Sequence, residues 1–248
     1  MDQAIIALLA AGMLVAAFAY ASVGHGGASA YIAAMALAGI APPEMRPTAL
    51  LLNVLVSSIA AYKFYRAGYF RWRLFWPFAV VSIPFAYAGG AITLPGQAYK
   101  ILVGAVLLYA AWQLWRSGRG GEEMRAVREP PVLWAMAIGA VMGLLAGLTG
   151  VGGGIFLSPL LLMLGWAGTK QTSAVAAPFI LVNSIAGLAA VVIAKGAVLP
   201  AYVGVLAPAV LVGGWLGAEY GARRFANPLV RRVLALVLAL AGAKMVLV

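Results

Sequence analysis

Thr149-Gly150-Val151-Gly152-Gly153-Gly154 interrupts a run of apolar residues long enough to cross a membrane, and Val23-Gly24-His25-Gly26-Gly27 does the same upstream. Each box follows a long apolar segment and precedes a short one, Ala28 to Ile40 and Ile155 to Trp166. Clustered glycines break a helix and leave N–H and C=O groups without intrahelical partners. Lipid cannot satisfy those groups, so such backbone must be buried in protein or line a wet cavity. The boxes are therefore either packing points or the walls of a site. Their duplication, each before a helix too short to cross alone, favours a site.

The rest of the composition agrees with a membrane setting. Of 248 residues, 65% are hydrophobic and 9% charged, with a mean hydropathy of +1.01, too little charge to cover a soluble domain of this size. Apolar runs of about 18–20 residues recur, each able to cross a bilayer of about 30 Å. The fold class expected is an all-α polytopic membrane protein, multi-pass in the cytoplasmic (inner) membrane. Twelve of the 17 Lys and Arg fall in three short breaks: Lys63 to Arg73, Arg116 to Arg128, and Arg223 to Arg232. Basic residues beside spans mark the cytoplasmic side, which explains a net charge of +11 without a nucleic-acid partner. The absence of cysteine excludes disulfides, thiolate metal sites and cysteine nucleophiles. The leading segment carries Asp2 and no basic residue, so it reads as a retained helix rather than a signal peptide.

Ten apolar segments divide into two sets of five around a polar linker. Residues 1–115 form a first transmembrane repeat, 116–131 a cytoplasmic linker and 132–248 a second repeat. Gly24, Gly26 and Gly27 lie 126 positions before Gly150, Gly152 and Gly153. Thr48, Pro84 and Gly89-Gly90 lie 124 before Thr172, Pro208 and Gly213-Gly214. Placing all three basic clusters on one side requires an odd number of crossings per repeat. The repeats are then inverted in topology, as in many secondary transporters. Re-entrant short segments would give an even number and put the last cluster outside.

The residues able to carry chemistry are few. Successive glycines can aim several N–H groups at one point, and the helix after each box offers a positive N-terminus. Thr149 can add a hydroxyl. His25 is the lone histidine and a candidate for proton coupling. Asn53 and Ser57 share a face of the third helix, with Asn183 on its copy. Thr172 begins that copy, as a ligand or a cap. Glu44 is expected to pair with Arg46, and Glu219 with the Arg223 cluster. No carboxylate pair lies within a span, which argues against a divalent-cation pump. The candidate binding set is Gly24, His25, Gly26, Gly27, Asn53, Ser57, Thr149, Gly150, Gly152, Gly153, Gly154, Thr172 and Asn183, a lining suited to a small oxyanion. No catalytic residue, metal site or cofactor is expected.

The boxes Gly24-His25-Gly26-Gly27 and Gly150-Val151-Gly152-Gly153-Gly154 resemble those of the TauE/SafE sulfite exporter family. So do Thr172-Ser173 after Gly168-Thr169 and the fourth-helix glycines of each half. The first-half stretch Pro42 to Thr48 departs from the Gly-Thr-Ser form of the second. The resemblance implies a transporter of sulfite, an organosulfonate or another small sulfur-containing anion across the cytoplasmic membrane. The function expected is a secondary transporter, preferably an exporter, working by alternating access as one repeat rocks against the other. A proton-coupled importer of a small anion and a channel-like membrane subunit are the alternatives. An intramembrane serine protease is disfavoured, because no serine stands in a Gly-x-Ser-Gly setting. The partners expected are the anion and the lipid bilayer, with a proton as candidate coupling ion and a homodimer as candidate assembly.

Overall fold

The computed structural model describes residues 2–117, 129–194, 196–223 and 228–247, and these are all helical or connecting chain. The helices in order are α1 (Gln3–Ala21), α2 (Ala28–Leu37), α3 (Pro42–Arg66), α4 (Trp72–Ala91), α5 (Gly96–Ser117), α6 (Val132–Thr149), α7 (Gly154–Met163), α8 (Thr169–Ala189), α9 (Val203–Arg223) and α10 (Pro228–Leu247). A π-helical turn, Ala190–Ala194, extends α8. Most of the polar linker, residues 118–128, lies outside the described residues, as does Arg224.

Each expected apolar segment is a helix, with one boundary corrected. The third apolar segment, expected to begin at Pro47 after a loop holding Glu44 and Arg46, begins at Pro42 as α3. Pro42 and Pro43 occupy its first two positions, where no intrahelical N–H is required and the fixed φ suits a helix. Thr48 therefore sits inside α3, and Thr172 inside α8, which starts at Thr169 after Gly168; neither is a cap. Among the described residues, α1, α3, α4, α6, α8 and α9 are long and apolar enough to cross a membrane. Their outward faces carry exposed Leu8, Val80, Leu133, Val141, Val205 and Leu216, the surface that lipid covers.

Glycine decides which helices meet. On α6, Gly139, Gly143 and Gly147 face the backbones of Phe78, Ser82 and Ala86 on α4. On α9, Gly213, Gly217 and Gly221 face those of Leu14, Phe18 and Ser22 on α1. A methyl at any of these six would overlap a main-chain carbonyl. In lipid the hydrophobic effect gives helices no reason to associate, and small residues that let backbones approach supply dispersion contacts instead. The fourth helix of each half is thereby attached to the other half. α4 packs on α6 and α8, and α9 on α1 and α3, giving two bundles that each draw on both halves. α3 crosses α8 between them, and α5 pairs with α10.

The contacts also fix direction. Glu44 meets Tyr202, and Lys63 meets Glu219, so α3 and α9 run parallel. Leu50 lies beside Gly187 and Asn53 beside Ser184, so α3 and α8 run antiparallel. Gly104 and Leu108 against Val246 and Gly242 make α5 and α10 antiparallel as well. α1 runs parallel to α9, and therefore to α3. The chain between α1 and α3 must return, and it does so as a glycine box followed by α2. The described parts of the first and third basic breaks, and the end of the linker, come to one end of the molecule. Lys63 and Arg223 both bond Glu219 there, at 2.5 and 2.6 Å, and Arg73 lies 4.0 Å from Glu129.

Candidate functional site

The two boxes meet where α3 crosses α8. α2 starts beside the middle of α3, where the Ala28 amide donates to Asn53 Oδ1 at 3.3 Å. α7 starts beside the middle of α8, where Gly154 packs on Ile180. In both boxes the turn needs backbone that L side chains rarely adopt: φ is +75° at Gly24 and +96° at Gly27, and about +80° at Gly150, Gly152 and Gly153.

Asn53, fully buried, is the group common to both boxes. Its Oδ1 accepts from the start of α2, while its Nδ2 donates to Val151 O at 3.4 Å and to Ser184 Oγ at 2.9 Å. Side chains at Gly26 or Gly152 would strike its amide. His25 makes the second link. Its Nδ1 faces Val23 O at 3.0 Å, and its Nε2 faces Gly154 O and Ser158 Oγ, each at 3.1 Å. A neutral imidazole has one N–H and can serve only one of those carbonyls; the imidazolium serves both. The tautomer of the neutral ring decides whether it donates within its own box, to Val23 O, or across to Gly154 O.

Between these links lies a cavity of about 10 Å³, lined by Tyr20, His25, Gly26 to Ser29, Val151, Ile155 and Ile180. That volume is room for about one water. Among the described residues, the amides of Gly26, Gly27, Ser29 and Ala30 donate to no protein acceptor, nor do those of Gly152, Gly153, Gly154 and Ile155. These are the orphan donors of two helix N-termini; of their residues Gly26, Gly27, Ser29 and Ile155 line the cavity, so the positive ends of both helix dipoles border it. The cavity lining has no carboxylate. Such a place favours an anion over a cation.

Other expected residues are spent elsewhere. Ser57 Oγ donates to Asn53 O at 2.6 Å, a bond to its own helix. Thr149 Oγ1 donates to Leu145 O at 2.7 Å and accepts from Val151 N at 3.3 Å, so it shapes the second box from behind. Asn183 turns its amide onto Phe179 O at 2.9 Å, leaving Oδ1 buried without a partner, and Thr172 Oγ1 is likewise buried and unpartnered. None of these four lines the cavity. Tyr20 and Ile180 line it unanticipated; nothing in an apolar helix marks either beforehand.

Arg46 contradicts its expected pairing. Glu44 accepts from the Tyr202 phenol at 3.0 Å, and Arg46, 7% exposed, points inward instead. It donates to Gly89 O at 2.6 Å, to Ile92 O at 3.2 Å and to Gly147 O, with its Nε left unpartnered. An arginine within a span costs about 3 kcal/mol on insertion scales. Hydrogen bonds to a charged group contribute about 1.5–3 kcal/mol each, so three carbonyls suffice to hold it.

The model of the family described as sulfite exporter TauE/SafE matches residues 8–245. A relative from Sinorhizobium fredii (strain NBRC 101917 / NGR234), named probable membrane transporter protein y4hK, is 38% identical over 239 residues, covering 96% of each chain. No solved structure matches the chain.

Proposed function

The chain belongs to the sulfite exporter TauE/SafE family and is a membrane transporter, and from that premise we propose that it carries a small sulfur-containing oxyanion, such as sulfite or an organosulfonate, by alternating access. One observation carries the proposal. Residues with unpartnered amides at the starts of two helices, Gly26, Gly27 and Ser29 at α2 and Ile155 at α7, line a cavity between the glycine boxes that has no acid in its lining. The site residues are Gly26, Gly27, Ser29 and Ile155 as amide donors at the cavity, Gly152 to Gly154 as further free amides behind it, and Asn53 and His25 as the groups that hold the boxes together. A cavity with room for about one water supports a carrier whose bundles part to admit cargo.

The division into repeats 1–115 and 132–248 belongs to the same proposal. The antiparallel crossing of the third helices, and of the fifth, is what inverted copies would make. The fourth-helix exchange refines the expected motion. The units that rock are then the bundle of α1, α3 and α9 against that of α4, α6 and α8, not the sequence halves. With the basic end cytoplasmic, an interior-negative potential favours anion exit by about 2.3 kcal/mol per charge per 100 mV. Export of a monoanion therefore needs no coupling ion. Import needs one, and in that case we assign the proton to His25, whose ring lines the cavity.

Flux into and out of proteoliposomes, with sulfite, sulfoacetate, sulfate and acetate and with imposed proton gradients, tests the reading. Sulfur oxyanions should exchange against labelled cargo. If no anion moves under any gradient, transport of this class is excluded. If sulfite moves without counter-flow, the channel alternative replaces the carrier.

A further inference from the structure

We propose that Arg46 is both an anion-binding residue and the latch at the end of the molecule opposite the basic clusters, releasing its carbonyl partners when the transported anion reaches it. The inference rests on the transport reading and adds a station that the cavity does not contain.

Arg46 belongs to the bundle of α1, α3 and α9, yet every hydrogen bond of its guanidinium goes to the other bundle: Gly89 and Ile92 at the end of α4, and Gly147 near the end of α6. Carbonyls at helix C-termini lack intrahelical donors and carry the negative end of the dipole. They hold a cation, but they are neutral. Among the described residues Arg46 forms no ion pair, and its buried Nε–H has no acceptor. Its stem lies against the second box: a methyl at Gly150 would sit 3.1 Å from Arg46 Cγ. A buried guanidinium with no counter-charge, its stem against the second box, is an incomplete anion site.

At the other end the turn after α1 is tied to α8 by a neutral bond, Ser173 Oγ to Val23 O at 2.9 Å, and the start of α8 reaches the α3–α4 connection through Lys170 and the Tyr69 hydroxyl at 3.3 Å. The two ends thus close differently. An oxyanion is a stronger acceptor for a guanidinium than an amide carbonyl, because both partners are charged. An anion at this end therefore takes the guanidinium from Gly89, Ile92 and Gly147, and the bundles lose the contact that holds them together there. When the anion leaves, the carbonyls recover the cation and the end closes. With the basic clusters cytoplasmic, this is the outer end.

Wild-type sulfite flux in proteoliposomes is measured first; its absence defeats the transport reading and is seen before any variant is made. Arg46→Gln keeps amide donors for the carbonyls and loses the charge. It should raise the half-saturating sulfite concentration by about tenfold or more, while Arg46→Lys recovers most of the loss. Gel filtration and thermal unfolding report whether each variant folds. A folded Gln variant with unchanged half-saturation overturns the proposal. The wild-type protein supplies a second measurement if the variants do not fold. Saturating sulfite should speed amide exchange over residues 88–92, as the end of α4 loses its cation, and unchanged exchange there overturns the latch.

Discussion

In the first glycine box a histidine ring reaches across to Gly154 and Ser158; in the second the matching position is Val151, whose side chain is apolar and whose carbonyl accepts from Asn53. The flanks differ too. Gly24 packs on the backbone of Ser173, and Gly150 on the stem of Arg46. The two boxes share a fold: a long helix, left-handed glycines, then a ten-residue helix along the first part of a core helix. Their side chains do not match. Two similar backbone turns can therefore stand in different chemical settings, with a histidine in one and an arginine beside the other.

The comparison breaks most sharply at Gly152. Its φ of +81° and the nearness of Asn53 leave no room for a side chain. Gly152→Val should lower sulfite flux by about 100-fold or more in proteoliposomes while the protein still inserts, strain at such a position being about 1–3 kcal/mol before the overlap is counted. Flux near wild type would return the second box to a packing role. Asn53 and Asn183 set the next contrast. Asn53→Ala removes the tie common to both boxes and should cost about 30-fold in flux, since breaking a buried network costs about 1–3 kcal/mol per orphaned group. Asn183→Ala, which removes an amide bonded to its own helix, should leave flux within about threefold. Equal losses would show that the boxes do not depend on the Asn53 tie.

Smaller effects separate the two flanks. Histidine is the side chain that ordinarily changes charge between about pH 5 and 8. His25→Gln keeps a donor but cannot titrate, so it should retain flux within about fivefold and flatten its pH profile over that range. A profile as steep as wild type would remove His25 from coupling. Ser173→Ala deletes one neutral bond between bundles and should lower stability in detergent by about 1 kcal/mol, read as a modest fall in the thermal midpoint. A loss of flux as large as that of Arg46→Gln would mean the two ends close alike.

Much of the fold was legible along the chain because its signals are local. Apolar length gives the spans, and glycine clusters give the breaks before α2 and α7. The site was legible in its backbone, less so in its side chains. Asn53 and Asn183 look alike in sequence, both amides in apolar helices. Only the crossing of α3 and α8 aims one at the boxes and turns the other onto its own helix. Glu44 and Arg46, two residues apart in a helix, point to different sides, so proximity in sequence misled. The glycine rows on α6 and α9 were visible as four-residue repeats, but which helix each would meet was not.

By itself the sequence determined that this chain lives in lipid, that its helices break twice in similar fashion, and that its basic residues gather in three places. Those are properties of composition and spacing, set by what water and hydrocarbon accept. Only the tertiary structure decided that α4 and α9 exchange partners, that the boxes converge on one cavity, and that Arg46 ties one bundle to the other. In a solvent as apolar as the helices themselves, hydrophobicity cannot choose a neighbour. The choice falls to backbone fit at glycine and to the partners that buried polar groups find, and both exist only once the chain is folded.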